Sequence, residues 1–177
     1  MYRHTLTIVV AAAALCLAAQ GCKPGARQVE ATPHPAAIQQ QDTLIAIELC
    51  DMQRDRVPIY SIIAHNQLTV IDFWASWCGP CRQEAPLMVS LYHDFQAKGL
   101  GFVGISLDED YSRWQEGVSQ LALPWPQYSE LRGWDETMAR QYGVTSIPYT
   151  LVVDNHGKIL ARGLRGDGLR RFISGRL

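Results

Sequence analysis

The sequence predicts an α/β fold in which a mixed central sheet is covered by helices on both faces. Three observations lead to this prediction. Leu68–Ala75 is apolar nearly throughout, as the central strands of covered sheets are. A long helical pattern, Cys81–Lys98, follows directly. Further along the chain, Tyr149–Val153 and Ile159–Leu164 flank a turn and indicate a hairpin. At 177 residues the chain supports one domain with a sizeable core, plus appendages.

Residues 1–41 are predicted to lie outside that domain. The apolar run Leu6–Ala19 follows basic residues and is too short to span a bilayer comfortably, which indicates a secretory signal over residues 1–21. The end of this signal, up to Cys22, resembles a bacterial lipobox, in which the cysteine becomes lipid-modified. An ordinary cleaved signal with a coincidental cysteine is the alternative. Residues 22–41, rich in Pro, Ala and Gln, then predict a lipidated flexible tether.

The domain itself is predicted over residues 42–177 and begins with an appended β-hairpin. The hairpin strands are the short apolar runs Leu44–Cys50 and Val57–Ile59, on either side of a polar turn. A helical turn over Ser61–Asn66 then leads to the buried strand.

The long helix has a predicted buried face and a predicted end. Its apolar positions Leu87, Leu91 and Phe95 recur every four residues, which indicates the side turned to the sheet. Pro86 is expected to kink the helix and Gly99 to end it. The remaining elements are predicted as a strand over Phe102–Leu107, a helix over Tyr111–Leu121, a break at Pro124-Trp125-Pro126, a helix over Asp135–Tyr142 that Asp135 caps, and a closing helix over Asp167–Ser174.

Charge and cysteine content exclude several classes of protein. The formal net charge is −1, so no basic field indicates nucleic acid or an anionic membrane surface as a partner. Removal of the signal and lipidation would leave Cys50, Cys78 and Cys81, and a pair plus one odd thiol is not the disulfide framework of a small secreted fold. Cys50 is predicted to be a buried small hydrophobe, with a regulatory or substrate-linked thiol as the alternative.

Cys78-Gly79-Pro80-Cys81 stands between the buried strand and the long helix. If Pro80 occupies the first helical turn, where its missing N–H costs nothing, both thiols lie at the helix N-terminus, close enough to form a disulfide. The helix dipole there favours a thiolate. Cys78, outside the helical hydrogen bonds and open to solvent, is the predicted nucleophile, and Cys81, one turn inward, would resolve a mixed disulfide. A structural disulfide and half of a zinc site are the alternatives.

Residues 70–86, Val-Ile-Asp-Phe-Trp-Ala-Ser-Trp-Cys-Gly-Pro-Cys-Arg-Gln-Glu-Ala-Pro, resemble the active-site segment of thioredoxins. The continuation from Cys81 resembles the extracytoplasmic, membrane-tethered TlpA/ResA-type thioredoxin-like proteins, and Tyr142–Thr150 is similar to the cis-proline segment of that family. The match spans about residues 45–174. It implies a thioredoxin-like fold with an N-terminal hairpin and a thiol–disulfide oxidoreductase activity, for which we expect neither a cofactor nor a metal.

The resemblance assigns catalytic roles to two carboxylates beside Cys78 and Cys81. Asp72, on the opposite strand face from Phe73, would accept the proton of Cys81, and burial should raise its pKa. The alternative is an Asp that bonds to backbone at a strand edge. Glu84, on the same helix face as Cys81, would tune the thiols, and the alternative is a first-turn acid that complements the helix dipole. Which carboxylate titrates with the thiols stays open.

The predicted substrate contacts surround the dithiol: Trp77, Gly79, Pro80, Ile147 and Pro148. By the resemblance, Pro148 follows a cis peptide bond and the backbone of Ile147 pairs with an extended substrate chain. Trp77 is expected to form an exposed apolar surface. The other tryptophans and three histidines are expected to pack in the core, cover an edge or lie at the surface, without a function: Trp74, Trp114, Trp125, Trp134, His65, His93 and His156.

These observations predict a monomeric, lipid-anchored thiol–disulfide oxidoreductase on the extracytoplasmic, periplasmic face of a bacterial membrane, where it reduces protein disulfides. Gly-Pro between the cysteines is the dipeptide of reducing thioredoxins and motivates the direction. The resemblance implies a membrane thiol relay as electron donor, and clients in the family include apocytochrome c before haem attachment. A copper-binding or metallochaperone module on the same fold is the alternative, since two thiolates could hold Cu(I), and it would require a further His or Met ligand.

Overall fold

The computed structural model describes residues 42–177, so the predicted signal peptide, the lipidation site Cys22 and the tether lie outside the described residues. The strands are β1 (Glu48–Cys50), β2 (Arg56–Pro58), β3 (Leu68–Trp74), β4 (Leu100–Ser106), β5 (Gln127–Tyr128), β6 (Tyr149–Asp154) and β7 (Ile159–Arg162). The α-helices are α1 (Ile59–Ile63), α2 (Gly79–Phe95), α3 (Tyr111–Gln120), α4 (Thr137–Gln141) and α5 (Gly166–Ser174). None of the helices within this range is long and apolar enough to cross a membrane.

Five strands form one mixed sheet in the order β5-β4-β3-β6-β7, and β1 pairs with β2 in a separate antiparallel hairpin. The central strand β3 runs parallel to β4 and antiparallel to β6. A parallel pair needs a crossover connection, and α2 supplies it between β3 and β4. The predicted mixed sheet and the N-terminal hairpin are therefore confirmed.

Helices cover both faces of the sheet, and β3 and β4 are buried along their whole length. On one face, Val70 packs in a cluster with Met88 of α2 and Leu169 of α5. On the other face, Phe73 packs in a cluster with Met138 of α4 and with side chains of α1 and α3. Successive residues of a strand point to opposite faces, which is why one strand contributes to both clusters.

The buried face of α2 matches the prediction at Leu91 and Phe95 and differs from it at Leu87. Leu87 is only half-buried, and the buried side chains are Cys81, Ala85, Met88, Leu91 and Phe95. A helix has 3.6 residues per turn, so a buried stripe alternates steps of three and four, whereas a strict step of four drifts off the face. The predicted end is confirmed, since a 3-10 turn over Gln96–Lys98 leads to Gly99 with φ of 97°.

The segment between β5 and α4 departs most from the prediction. The two-residue strand β5 was not predicted, because so short a pairing leaves no periodic pattern. The prediction that Asp135 caps a helix is wrong. Asp135 lies in a 3-10 turn, Gly133–Asp135, whereas a capping residue needs non-helical backbone. Its carboxylate instead pairs with Arg140 at 3.2 Å.

The helical turn predicted over Ser61–Asn66 is α1, which begins earlier, at Ile59.

Candidate active site

A disulfide joins Cys78 and Cys81 at the start of α2, with their Cα atoms 5.3 Å apart. The helix begins at Gly79, earlier than predicted, because Cys78 is its N-cap and Pro80 fits the first turn. The Sγ atom of Cys78 accepts a hydrogen bond from the backbone N–H of Cys81 at 3.2 Å. An amide at a helix start and the helix dipole thus both favour negative charge on the Cys78 sulfur once the disulfide is reduced.

Both cysteines are buried in this disulfide form, with Cys78 and Cys81 each 5% exposed. The prediction that Cys78 is open to solvent is therefore wrong here, because its side chain turns toward Cys81 and joins the hydrophobic core. Three predicted substrate contacts, Trp77, Gly79 and Pro80, are exposed and form the outer rim of the site.

The loop before Cys78 is held by a buried carboxylate that the sequence reasoning missed. Asp108, 1% exposed, accepts hydrogen bonds from the backbone N–H of Ser76 at 2.9 Å and from its hydroxyl at 2.6 Å. The hydroxyl of Ser106 donates to the same carboxylate at 2.6 Å. The sequence does contain a signal for this role, because Asp108 directly follows the apolar strand predicted over Phe102–Leu107. A carboxylate that is buried in that position needs hydrogen-bond donors around it.

Asp72 lies on the central strand, so the alternative of a residue at a strand edge is wrong. It is 8% exposed and faces α2 rather than the cluster that contains Phe73. Burial raises the pKa of Asp72 to about 7, the negative charge of Glu84 adds to the rise, and the positive charge of Arg165 opposes it. The predicted rise in this pKa is confirmed, and the carboxyl group can change charge near neutral pH.

A narrow cavity between β3 and α2 brings the site residues together. Asp72, Cys81 and Glu84 line it with Pro148 and Thr150. Its free space is about 10 Å³, which is about what one water molecule needs. The thiol-bearing helix, the central strand and the proline loop therefore meet at one small enclosure.

Glu84 binds the start of another helix rather than the start of its own. Its carboxylate accepts hydrogen bonds from Nε of Arg165 at 2.7 Å and from the backbone N–H of Gly166, the first residue of α5, at 2.9 Å. The alternative of a first-turn acid is wrong, because α2 begins at Gly79 and no acidic residue lies in its first turn. Glu84 thereby links α2 to α5 and keeps a negative charge close enough to raise the pKa of Asp72.

The Ile147–Pro148 peptide bond is cis, as predicted. Pro148 lines the same cavity as Cys81, which brings the proline loop against the dithiol. Ile147 is half-buried, packs against the core and lies just before β6.

The predicted burial or exposure is confirmed for every tryptophan except Trp134. Trp74, Trp114 and Trp125 are buried, and Trp77 is 53% exposed. Trp134 was expected to cover the core or an edge, and that expectation is wrong: it is 46% exposed, with its ring centroid 6.4 Å from that of Trp77. Trp134 lies in the 3-10 turn, Gly133–Asp135, that is found where the helix start was predicted.

The remaining candidate residues lie as expected. Cys50 is a buried free cysteine, and the predicted surface histidines are all exposed: His65, His93 and His156. Within residues 42–177, no three His, Cys, Asp or Glu side chains are grouped so that they could hold a metal ion.

The mixed sheet, the disulfide at the start of α2 and the adjoining cis-proline loop together define a protein of the thioredoxin fold. A family model described as thioredoxin-like matches residues 66–159, and the chain belongs to this family.

Relatives and solved structures agree with this assignment. The chain is 31% identical over 97 residues to the thiol:disulfide interchange protein HelX of Rhodobacter capsulatus, a match that covers 55% of this chain and 52% of the relative. It is 30% identical over 90 residues to the thiol-disulfide oxidoreductase ResA of Bacillus thuringiensis, a match that covers 51% of this chain and 50% of the relative. The chain thus spans about half the length of the curated relatives that it matches. A solved thiol-disulfide oxidoreductase from Bacteroides fragilis superposes with a TM-score of 0.71 at 26% identity, over 76% of this chain and 99% of that one.

Proposed function

We propose that the protein is a thiol–disulfide oxidoreductase that reduces protein disulfides through Cys78 and Cys81. The observation that carries the proposal is the disulfide at the start of α2, where the Cys81 N–H donates to the Cys78 sulfur at 3.2 Å. Membership of the thioredoxin-like family and relatives named as thiol–disulfide oxidoreductases support the same activity.

The reaction begins from the reduced form, with Cys78 as thiolate. Its sulfur attacks one sulfur of the substrate disulfide, a bond forms between Cys78 and the substrate, and the other substrate sulfur leaves as a thiolate that takes a proton from water. The helix dipole and the Cys81 N–H lower the cost of negative charge on Cys78.

The second step releases the reduced substrate. The thiol of Cys81 gives its proton to the carboxylate of Asp72, which lines the same cavity, either through one water molecule or by close approach. The Cys81 thiolate then attacks the Cys78 sulfur, and the bond from Cys78 to the substrate breaks. The second substrate sulfur leaves as a thiolate and takes the proton that Asp72 received, which restores the Asp72 carboxylate. Two electrons have passed to the substrate, and the protein is left with the Cys78–Cys81 disulfide.

Substrate contact is assigned to the exposed rim and the proline loop. Trp77, Gly79 and Pro80 are exposed beside the buried disulfide, and the backbone of Ile147 precedes the cis bond to Pro148. We propose that an extended substrate chain pairs with Ile147 while its disulfide reaches Cys78.

The proposal includes a location and partners. The signal pattern and Cys22, which lie outside the described residues, support lipid anchoring on the extracytoplasmic side of a bacterial membrane. We propose that the anchored protein is a monomer. There it would receive electrons from a membrane thiol relay and reduce protein disulfides, with apocytochrome c as one candidate client. Mass spectrometry of the N-terminal peptide tests the anchor: a covalent lipid should be bound to Cys22, and an unmodified Cys22 in the mature protein would contradict lipid anchoring.

Insulin reduction by the three single cysteine variants tests the activity. Cys78→Ser should abolish turnover, Cys81→Ser should accumulate a mixed disulfide on Cys78, and Cys50→Ser, the matched control at a buried free thiol, should keep full activity. Failure of the unmodified protein to reduce insulin, or equal losses in all three variants, would contradict the proposal. Equilibration with glutathione then tests the direction, since a potential near about −120 mV belongs to a disulfide donor and one near about −270 mV to a reductant.

A further inference from the structure

Two exposed tryptophans form a contact at the rim of the dithiol site. Three large hydrophobic side chains are exposed within residues 42–177, namely Ile45, Trp77 and Trp134. Two of them lie against each other, with the ring centroids of Trp77 and Trp134 6.4 Å apart and the ring planes at 55°. Trp77 directly precedes Cys78. Adjacent exposed aromatic side chains are unusual on a monomeric protein and commonly mark a binding surface.

The loop that carries Trp134 is held rigidly from within. The carboxylate of Glu130 accepts hydrogen bonds from the N–H of Thr137 at 3.2 Å and from its hydroxyl. The carboxylate of Glu136 accepts a hydrogen bond from the N–H of Glu130 at 2.8 Å. Gly133 has φ of 58°, and a Cβ atom there would come within 2.4 Å of Oε1 of Glu109. These contacts hold the backbone on both sides of Trp134.

The loops of both tryptophans are anchored to one buried polar network. Ser76, next to Trp77, binds Asp108, and Asp108 binds the hydroxyl of Ser106. On the other side, the hydroxyl of Ser129 donates to the backbone carbonyl of Ser106 at 2.9 Å and accepts from the N–H of Leu131 at 3.1 Å. Both loops are therefore held by the same buried residues at the end of β4.

The charges that flank Trp134 are already paired. Arg132 pairs with Glu130 at 3.4 Å, and Asp135 pairs with Arg140 at 3.2 Å. Each positive charge beside the ring thus has an acidic partner, and the surface favours an uncharged apolar side chain over an ion.

We propose that Trp134 and Trp77 together bind an apolar side chain that lies next to the reactive cysteine of a polypeptide substrate. Trp134 is thus a specificity-determining residue for the reaction. This inference rests on the proposed oxidoreductase function and adds a substrate class to it: polypeptide disulfides flanked by apolar side chains, preferred over small disulfides and over polar flanks.

The test compares Trp134→Ala with Ile45→Ala, a change at the other exposed apolar residue. Ile45 is a suitable control because the neighbouring Leu44 pairs with Gly157 after β6, at the opposite end of the sheet from Cys78. The reduced proteins are given three substrates: bis(2-hydroxyethyl) disulfide and two disulfide peptides that differ only in Leu or Ser beside the reactive cysteine. Circular dichroism checks that both variants are folded.

Trp134→Ala should lower kcat/KM for the Leu peptide about tenfold, mainly through KM, because one aromatic contact is lost. It should leave kcat/KM for the Ser peptide and for the small disulfide unchanged. Trp134→Phe should restore most of the kcat/KM that Trp134→Ala loses on the Leu peptide. Ile45→Ala should not change kcat/KM for any of the three substrates. An equal loss on all three substrates, or no loss on the Leu peptide, would overturn the inference. So would a dimer that Trp134→Ala dissociates, since the surface would then bind a second copy. If the unmodified protein reduces none of the three, the proposed function fails instead.

Discussion

Asp108 binds Ser76 at two points, through the backbone N–H at 2.9 Å and the side-chain hydroxyl at 2.6 Å. This pair holds the loop between β3 and α2 from beneath, two residues before Cys78. The active-site loop therefore has a fixed anchor on β4's C-terminal side, independent of any bond that the thiols make.

Loss of this anchor should destabilise the fold. Asp108→Asn puts an amide where three donors, the N–H and hydroxyl of Ser76 and the hydroxyl of Ser106, now meet a carboxylate. It should lower the free energy of unfolding by about 2 kcal/mol, as for hydrogen bonds to a charged group. Ser76→Ala removes one hydroxyl and should cost about 1 kcal/mol. Urea unfolding measures both, and Ser119→Ala, at an exposed position on α3, is the control. Stability equal to the control in both variants would show that the pair does not anchor the loop.

Asp72 should control the pH dependence of reduction. Its pKa lies at about 7, so below neutral pH the group is protonated and cannot accept the proton of Cys81. The rate of disulfide reduction should rise as pH increases through 7, and Asp72→Asn should lower it about 100-fold and remove that rise. A pH profile of Asp72→Asn with an unchanged step near 7 would exclude Asp72 as the proton acceptor.

The same group should make the folded protein less stable above neutral pH. Because its folded pKa exceeds its value of 3.8 in a model compound, the stabilising contribution is complete below about pH 4 and is lost as pH rises through 7. Asp72→Asn should therefore stabilise the protein at pH 8 and have little effect near pH 4. The urea concentrations at the unfolding midpoint, measured at the two pH values, test this. If Asp72→Asn were less stable than the unmodified protein at pH 8, the claim that a buried negative charge on Asp72 destabilises the fold would be contradicted.

Glu84 and Arg165 should shift the titration of Asp72 in opposite directions. The charge of Glu84 raises the pKa of Asp72 and that of Arg165 lowers it. Glu84→Gln should move the midpoint of the pH profile down, and Arg165→Ala should move it up. The two variants control for each other, because both break the same 2.7 Å ion pair. Shifts of the same sign would mean that a structural change, rather than charge, moves the pKa.

Glu136 provides a second stability test, on the loop that carries Trp134. Burial raises its pKa to about 7, and the backbone hydrogen bond from Glu130 opposes the rise. Stability from this group is complete below about pH 4.5 and falls as pH rises through 7. Glu136→Gln keeps an acceptor for Glu130 and should stabilise the protein at pH 8 by about 2 kcal/mol more than at pH 4.5. Glu48→Gln, at an exposed position, should show no such difference.

The sequence predicted the fold and the dithiol because these follow from local patterns. An apolar strand, a Cys-Gly-Pro-Cys segment and a long helix are contiguous, and Pro80 at the helix start fixes their geometry. The burial of Asp72 also followed, since a lone carboxylate in a central apolar strand has nowhere else to lie.

What was missed depends on contacts between distant segments. Asp108 meets Ser76 across 32 positions of the chain, and Glu84 meets Gly166 across 82. No periodicity encodes such pairs. Trp134 was misplaced for a related reason, because its exposure follows from a 3-10 turn that internal side-chain bonds stabilise rather than from hydrophobic pattern.

The rate at which iodoacetamide alkylates the reduced protein, followed against pH with peptide mapping of the product, tests the central claim most directly. Stabilisation by the Cys81 N–H and by the start of α2 predicts that Cys78 is modified first, with a midpoint well below the value of about 8.5 for a free cysteine. A midpoint equal to that of free cysteine, or preferential modification of Cys81, would contradict the account of Cys78 as an activated nucleophile.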